Sequence, residues 1–203
     1  MLILLQNETG SALVFTSLVF VLYREGMSGL ILFAGLCSIV IFVVALKYSA
    51  IMVMGIPGGE FIVLALILLM ILGMVVFYCK SAVITRNLLI VYAACGAVCG
   101  TLYACGIEIN GRLFLLGTMA AAISYLVWEM LKKEARKILL IITFALSSVV
   151  FLFSVNYVFT DILGAHQQMR IKVALGIEDD LQGAGYNVNQ SKIAIGSGGI
   201  FGK

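Results

Sequence analysis

The chain has 203 residues, of which 63% are hydrophobic and 11% are charged, whereas soluble domains average roughly 45–50% and roughly 25%. This composition excludes a water-soluble globular protein. The formal net charge is only +3, and no basic run is interleaved with aromatic residues, so a nucleic-acid partner is not expected. The five cysteines each lie in or beside an apolar run, which indicates neither a disulfide framework nor a zinc site. The sequence predicts an all-α, polytopic membrane protein.

Charged residues divide the chain into apolar runs near the length of about 20 residues that crosses a bilayer. We predict about six transmembrane helices: residues 11–23, extended backward by residues 1–6 across a polar break, then residues 29–46, 61–78, 88–105, 113–130 and 138–157. Residues 57–59, Pro-Gly-Gly, are predicted to form a turn between two spans. The expected organisation is a transmembrane domain over residues 1–157 and an extracytoplasmic segment over residues 158–203.

The basic residues predict which ends of the spans face the cytoplasm. The loop of residues 131–137 holds four of them, and alternation of the spans brings those of two other loops to the same side. The whole set is Arg24, Lys80, Arg86, Lys132, Lys133, Arg136 and Lys137. The short outer loops hold only Lys47, Glu60, Glu108 and Arg112. Residues 6–10 and everything after Tyr157 are therefore predicted to lie outside the cytoplasm.

The last segment, residues 158–203, is more polar and richer in glycine than the spans. Apolar residues recur three or four positions apart between residues 161 and 175, which predicts an amphipathic helix on the membrane surface. After a glycine-punctuated turn, residues 187–195 are predicted to form a short helix ended by Gly196. A polar segment of this length is the expected place for binding or chemistry.

Glu8 is an acidic residue between two apolar runs. An ionisable side chain at membrane depth is costly and normally faces protein or a water-filled cavity. Glu8 is therefore a candidate acid or cation ligand at the outer mouth of a cavity. The alternative is a solvated residue, with Asn7 or Thr9 helping to cap the next helix.

Three polar features of the last segment have both a binding and a structural interpretation. Arg170 and Lys172 could bind a phosphate, or lipid head groups at the membrane surface. His166, the single histidine, is more typical of a polar helix surface than of a general base. Residues 196–199, Gly-Ser-Gly-Gly, could offer backbone N–H groups to a phosphate or form a flexible turn, and their spacing is not that of a Walker A loop.

The most specific pattern is GAGYNVNQSKIAIGSGG over residues 183–199, followed by FGK over residues 201–203. It resembles the outer-loop signature of the SEDS family, nearest to its RodA type. Residues 6–12, QNETGSA, are similar to the family's Gln-Pro-Asp-Leu-Gly-Thr-Ala element, with Glu8 at the acidic position. Asn7, Thr9 and Glu8 itself depart from the residues that the family has there. The charge-based orientation places both elements outside the cytoplasm, as this family requires.

The resemblance implies a multi-pass glycosyltransferase of the bacterial plasma membrane that polymerises the lipid-linked precursor lipid II in cell wall elongation and cell shape control. It implies a class B penicillin-binding protein as partner. The residues implied to bind substrate are Arg170, Gln190, Ser191, Lys192, Ser197 and Gly198. Glu8 is implied to be an accessory acid that holds a divalent cation, Mg²⁺ or Mn²⁺.

The resemblance places the family's main catalytic aspartate beyond Lys203, in an element downstream of the Gly202-Lys203 pair. Helices also normally precede the element that contains Glu8. We therefore expect this sequence to be an internal piece of a longer protein and to be inactive alone. Two other functions stay open: a flippase or transporter of lipid-linked precursors, and a non-catalytic scaffold of an elongation complex. A flippase path would require polar residues along several spans, and these spans are nearly devoid of them.

Overall fold

The computed structural model describes residues 17–106, 110–133, 136–178 and 186–198. It divides into two compact units, residues 1–41 and 42–203. The first unit contains helix α1 (Leu18–Arg24) and most of α2 (Gly29–Lys47), which runs on into the second unit. The remaining elements belong to the second unit.

The second unit opens with a small hairpin of strands β1 (Met52–Val53) and β2 (Ile56–Pro57), in which Met52 pairs with Pro57 and Val53 with Ile56. Positive φ angles at Met54 and Gly55 make its two-residue turn. The helices that follow are α3 (Gly58–Met74), α4 (Ala82–Ala104), α5 (Gly111–Lys133), α6 (Arg136–Tyr157), α7 (Ala165–Ala174) and α8 (Tyr186–Gly198). Single π-helical turns extend α3 over Val75–Cys79 and α6 over Val158–Ile162.

Five helices in the described residues, α2 to α6, are long and apolar enough to cross a membrane. The predicted all-α membrane architecture is thus confirmed. The predicted span of residues 11–23 lies partly outside the described residues, and its described part is the short helix α1.

The predicted ends of four spans were wrong by a few residues, because charged and polar residues were taken to end each helix. Helix α3 already begins at Gly58, so residues 57–59 are not a turn: Pro57 closes β2 and Gly58 opens the helix. Helix α4 includes Arg86 and begins at Ala82, six residues earlier than predicted. Charged side chains near a helix end can extend to water or pair with each other, so they need not end the helix.

Helices α3 to α6 form a bundle in which α3 contacts α5 and α6, and α5 contacts α4 and α6. Residues three or four apart on α3 and α6 supply most of its core. The fully buried side chains there are Val63, Leu64, Ile67, Ile71, Ile138, Ile141 and Leu152. Large apolar side chains on the outside, such as Leu69 and Val150, stay exposed, as expected for helices surrounded by lipid.

The predicted helix over residues 161–175 begins later, at Ala165, because the chain breaks at Leu163 and Gly164, which have extended backbone angles. Two glutamines stabilise this start: Gln168 Nε2 donates to the Leu163 carbonyl (2.9 Å), and Gln167 Oε1 accepts from Gly164 N–H (3.3 Å). Gly176, at φ +66°, ends α7 with a Schellman arrangement in which Ile177 N–H donates to the Lys172 carbonyl at 2.9 Å.

The predicted short helix over residues 187–195 is longer, because α8 runs from Tyr186 to Gly198. Gly196 does not end it, since its φ is not positive and the helix continues through it. Ser197 Oγ donates back to the Ala194 carbonyl (3.4 Å) and uses an acceptor near the helix end.

Candidate functional site

Arg170 lies in helix α7, and hydrogen bonds at both ends of this helix fix where it begins and ends. The glutamine bonds at the start and the Gly176 turn at the end set the helix length, and Lys172 Nζ pairs with Glu178 Oε1 at 2.8 Å. Arg170 is exposed and has no hydrogen bond or ion pair to any described residue. It is the freer of the two cations on this helix and can take an anionic ligand.

Helix α8 carries the other predicted substrate residues. Gln190, Ser191 and Ser197 are exposed on it. Lys192 and Gly198 lie in the helix, but the side chain of Lys192 is outside the described part of the chain.

The prediction that residues 196–199 form a turn, either a flexible one or one that binds a phosphate through its N–H groups, is wrong for Gly196, Ser197 and Gly198, which are helical. In the last turn of a helix, N–H groups bond to carbonyls of the preceding turn and are not free for a phosphate. Any contact of these residues with a ligand must therefore come from side chains or from the helix surface.

No direct bond joins Arg170 to the predicted substrate residues of α8 where the structure describes them. Within the described ranges, no hydrogen bond links Arg170 to Gln190 or Ser197, and neither α7 nor α8 packs extensively against a spanning helix.

Two positions on which the predicted chemistry depends lie outside the described residues. Glu8, the predicted accessory acid and cation ligand, is one of them. Lys203, beyond which the main catalytic aspartate is expected, is the other. The prediction that the aspartate follows Lys203 therefore stays a prediction, as does the role of Glu8.

A partly buried ion pair lies elsewhere, at the end of the bundle where α3 and α5 begin. Glu60, in the first turn of α3, is only 2% exposed. Its carboxylate accepts from Arg112 Nε (Oε1, 2.6 Å) and Nη2 (Oε2, 2.7 Å), so the guanidinium binds it with two parallel hydrogen bonds. Such bidentate, charge-assisted pairs are among the strongest hydrogen bonds that proteins form.

The loop before α3 holds the ion pair in place through backbone contacts. Gly58 N–H donates to the Ile51 carbonyl (2.5 Å) and Gly59 N–H to the Tyr48 carbonyl (3.0 Å). The turn residue Met54 then accepts from Gly111 N–H (2.9 Å), which fastens the start of α5 to the hairpin. These bonds satisfy N–H groups that a helix start otherwise leaves without partners.

Arg112 also reaches a third helix. Its guanidinium carbon lies 6.0 Å from the centre of the Phe153 ring of α6, within the range of a cation–π contact. The Arg112 side chain is still 47% exposed, and Nη1 has no hydrogen bond to any described residue. The ion pair therefore joins α3, α5 and α6 and leaves one edge of the guanidinium open to an anion.

The opposite end of the bundle has its own polar cluster. Tyr125 donates its hydroxyl to Glu129 Oε1 (3.3 Å) and lies within hydrogen-bond reach of the Asn87 amide, while Arg86 acts on it electrostatically. Glu129 is 8% exposed. Glu60 and Arg112 thus meet at one end of the bundle, and Arg86, Asn87 and Glu129 at the other, which is the separation that antiparallel spans predict.

No group of three or more His, Cys, Asp or Glu residues in the described ranges could hold a metal ion. The five cysteines all have free thiols, and Cys37 is the buried one among them. The described part of the chain therefore offers no ligand cluster that would assign a cation.

The sequence interpretation missed the Glu60–Arg112 pair. Both residues were assigned to short outer loops, so their shared side of the membrane was anticipated. Their pairing was not, since 52 residues separate them and no local pattern links them.

Residues 111–203 match the family model FTSW_RODA_SPOVE, described as "Cell cycle protein". The matched region begins at the start of α5 and includes Arg112, Arg170 and all of α8. Among curated proteins, the chain is similar to "Peptidoglycan glycosyltransferase MrdB" of Escherichia coli (strain K12), Escherichia coli O157:H7 and Shigella flexneri, in each case with 55% identity over 38 residues. The matched stretch is 19% of this chain and spans a tenth (10%) of the length of those relatives. No solved structure matches the chain.

Proposed function

We propose that this chain functions in peptidoglycan synthesis as a RodA-type glycosyltransferase of the SEDS family that polymerises lipid II; the match of residues 111–203 to the family model supports this proposal. The observation that carries the proposal is the 55% identity with MrdB over 38 residues, together with five helices able to span a membrane. The proposed setting is the bacterial plasma membrane, with residues 158–203 outside the cytoplasm and a class B penicillin-binding protein as partner.

In the proposed reaction, a sugar hydroxyl of the acceptor attacks the anomeric carbon that carries undecaprenyl pyrophosphate. A glycosidic C–O bond forms, the bond to the pyrophosphate oxygen breaks, and the hydroxyl proton passes to a general base. No described residue is assigned as this base. We propose that the family's aspartate, in an element that follows Lys203, performs that step and that residues 1–203 alone form no polymer.

The proposed part of this chain is substrate binding. Arg170, exposed and unpaired among the described residues, offers a guanidinium that matches the pyrophosphate in shape and charge. The α8 residues proposed to contact the sugar or pyrophosphate are Gln190, Ser191, Lys192, Ser197 and Gly198. Because α7 and α8 pack little on the bundle, we propose that they close on the substrate when it binds.

The test measures binding of labelled lipid II to the purified 203-residue chain in detergent, together with a gel for glycan products. Arg170→Gln is expected to weaken binding about tenfold or more, since a hydrogen bond to a charged group contributes about 1.5–3 kcal/mol. Lys172→Gln is the matched control: it removes the same charge from the same helix, but that lysine is already paired with Glu178. Equal weakening by both variants would contradict the proposed role of Arg170. Polymerisation by this chain alone would contradict the proposal that the general base lies in an element after Lys203.

The transporter alternative predicts a different result in the same preparation. Lipid II would then move across the bilayer of vesicles that contain the purified protein. No polymer would form, even in a longer chain that includes the aspartate-bearing element. The scaffold alternative predicts capture of a penicillin-binding protein with no lipid II binding.

We also propose that Glu8 holds a divalent cation. In that case, lipid II binding should strengthen with added Mg²⁺ or Mn²⁺, and Glu8→Gln should abolish this dependence. The same cation dependence in Glu8→Gln would show that the ion binds elsewhere.

A further inference from the structure

A basic groove lies where α3 ends and α4 begins. It is an open cavity of about 460 Å³ lined by Val76, Lys80, Ser81, Thr85, Arg86 and Leu89. Lys80, at φ +48°, reverses the chain immediately after the π-helical turn of α3, and Ser81 is the residue before the first turn of α4. The reversal brings side chains from both helices to the same cavity.

The two cations of the basic groove have no partners in the described part of the chain. Lys80 and Arg86 are both exposed, and neither forms an ion pair or hydrogen bond with a described residue. The acidic residue in the described ranges that shares a contact with Arg86 is Glu129, which is 8% exposed and accepts from the Tyr125 hydroxyl. Lys137, whose charge acts on Cys79, adds to the positive potential at this end.

The groove also supplies a neutral donor. Ser81 forms no side-chain capping bond to α4, so its hydroxyl is available. The Thr85 hydroxyl donates to the Ser81 carbonyl (3.1 Å), so it is not a free donor for a ligand. Thr85 N–H donates to the same Ser81 carbonyl and is likewise occupied.

The remaining wall is apolar. Val76 and Leu89 line the cavity with exposed side chains, and the adjacent stretches of α3 and α4 are those that can cross a membrane. A ligand that fills the groove therefore needs an anionic, hydrogen-bonding head and an apolar part that continues along the helices.

We propose that the basic groove binds the head group of an anionic phospholipid. The phosphate lies between Lys80 and Arg86 with the Ser81 hydroxyl as a further donor, and the acyl chains run along Val76 and Leu89. This is the end of the bundle that the distribution of basic residues predicts to be cytoplasmic, where anionic lipid attracts basic residues. The site is separate from the proposed lipid II site and does not depend on it.

The test uses the purified chain in zwitterionic phosphatidylcholine nanodiscs with increasing phosphatidylglycerol, and native mass spectrometry to count retained lipid. The chain is expected to retain phosphatidylglycerol in preference to phosphatidylcholine. Each cation removed should weaken retention about fivefold, so Lys80→Gln with Arg86→Gln should weaken it about 25-fold. Ser81→Ala, which changes no charge, should weaken it about threefold, in line with a lost hydrogen bond.

The matched control is Lys132→Gln with Arg136→Gln. It removes two cations from the same end of the bundle but outside the groove; Lys132 lies over the Trp128 ring, 4.8 Å from its centre. This control should change retention less than twofold. If both double variants lost the same amount of lipid retention, a general effect of charge would explain the binding, and the proposal of a specific site would be overturned. Unchanged retention in the groove variants, equal retention of phosphatidylcholine, or displacement of the lipid by millimolar inorganic phosphate would each overturn it as well.

Discussion

Arg112 and Glu60 form two parallel hydrogen bonds of 2.6 and 2.7 Å, although 52 residues separate them in the chain. The carboxylate is buried, whereas the guanidinium is half exposed. The pair links the starts of α3 and α5, and Phe153 adds α6 to the same contact. The ion pair therefore connects three spanning helices, and its loss should affect the stability of their assembly.

Arg112→Ala should strongly destabilise the bundle, because it leaves the buried Glu60 carboxylate without its partner. The expected loss is about 3–5 kcal/mol, the usual cost of an uncompensated buried charge. Thermal unfolding in detergent, followed by circular dichroism, measures it. Lys47→Ala removes an exposed cation near the same end and should change stability by less than about 0.5 kcal/mol. If Glu60→Gln restored none of the stability lost in Arg112→Ala, the unpaired charge would not be the cause.

Gly59→Ala should destabilise the chain, because a Cβ atom there would collide with the backbone carbonyl of Ala45. Backbone cannot move aside as a flexible side chain can, so we expect a loss of about 1–3 kcal/mol. Gly73→Ala is the matched control in the same helix, since a Cβ at Gly73 meets nothing within 4 Å. It should be neutral or stabilising by up to about 1 kcal/mol. Equal melting temperatures for both variants would show that the approach of Gly59 to Ala45 is not close in solution.

The predicted orientation can be checked with membrane-impermeant maleimide in intact cells. In a chain whose only cysteine is Cys105, an exposed residue after α4, the thiol should react from outside. In a cysteine-free chain with Lys80→Cys, reaction should require permeabilised membranes. Ala174→Cys, on exposed surface of α7, should behave like Cys105. The reverse pattern would invert the topology and place the α7 and α8 residues away from the proposed substrate.

Gly176→Ala should loosen the end of α7, because Gly176 has φ +66°, where a side chain costs about 1 kcal/mol or more. Hydrogen exchange of the Ile177 amide, which donates to the Lys172 carbonyl, should speed up about fivefold. Gly164→Ala at the other end of α7 has a negative φ and open space around its Cβ position, so it should leave this exchange unchanged. Unchanged exchange in Gly176→Ala would show that the Schellman bonds do not hold this end.

The sequence predicted the spans well because hydrophobicity over about 20 residues is a local property that the bilayer itself selects. It placed their ends less well, since Arg86 and Glu60 were taken as signs that the helix had ended. Both are helical: the first is exposed near a helix end and the second is neutralised by Arg112. A helix can therefore continue through a charged residue when its side chain reaches water or an oppositely charged partner. The neighbouring residues in the sequence do not show whether this happens.

The predicted glycine turn failed at residues 196–198 for a related reason. Glycine permits a turn but does not require one, and in α8 the helix continues through Gly196 to Gly198. Gly176 does end its helix, because the amides of Gly176 and Ile177 find carbonyls of the preceding turn. Both Gly176 and Gly196 are glycines, so the difference between them lies in the hydrogen bonds that form around each one.

By itself, the sequence determined the all-α membrane class, five of the spans, and the signature that resembles the SEDS family, since each of these is written in contiguous residues. Only the tertiary structure decided that Glu60 and Arg112 are a buried pair and that Lys80 and Arg86 share one groove. These relationships depend on how helices lie side by side. That placement follows from packing over the whole bundle, which no local stretch of sequence contains.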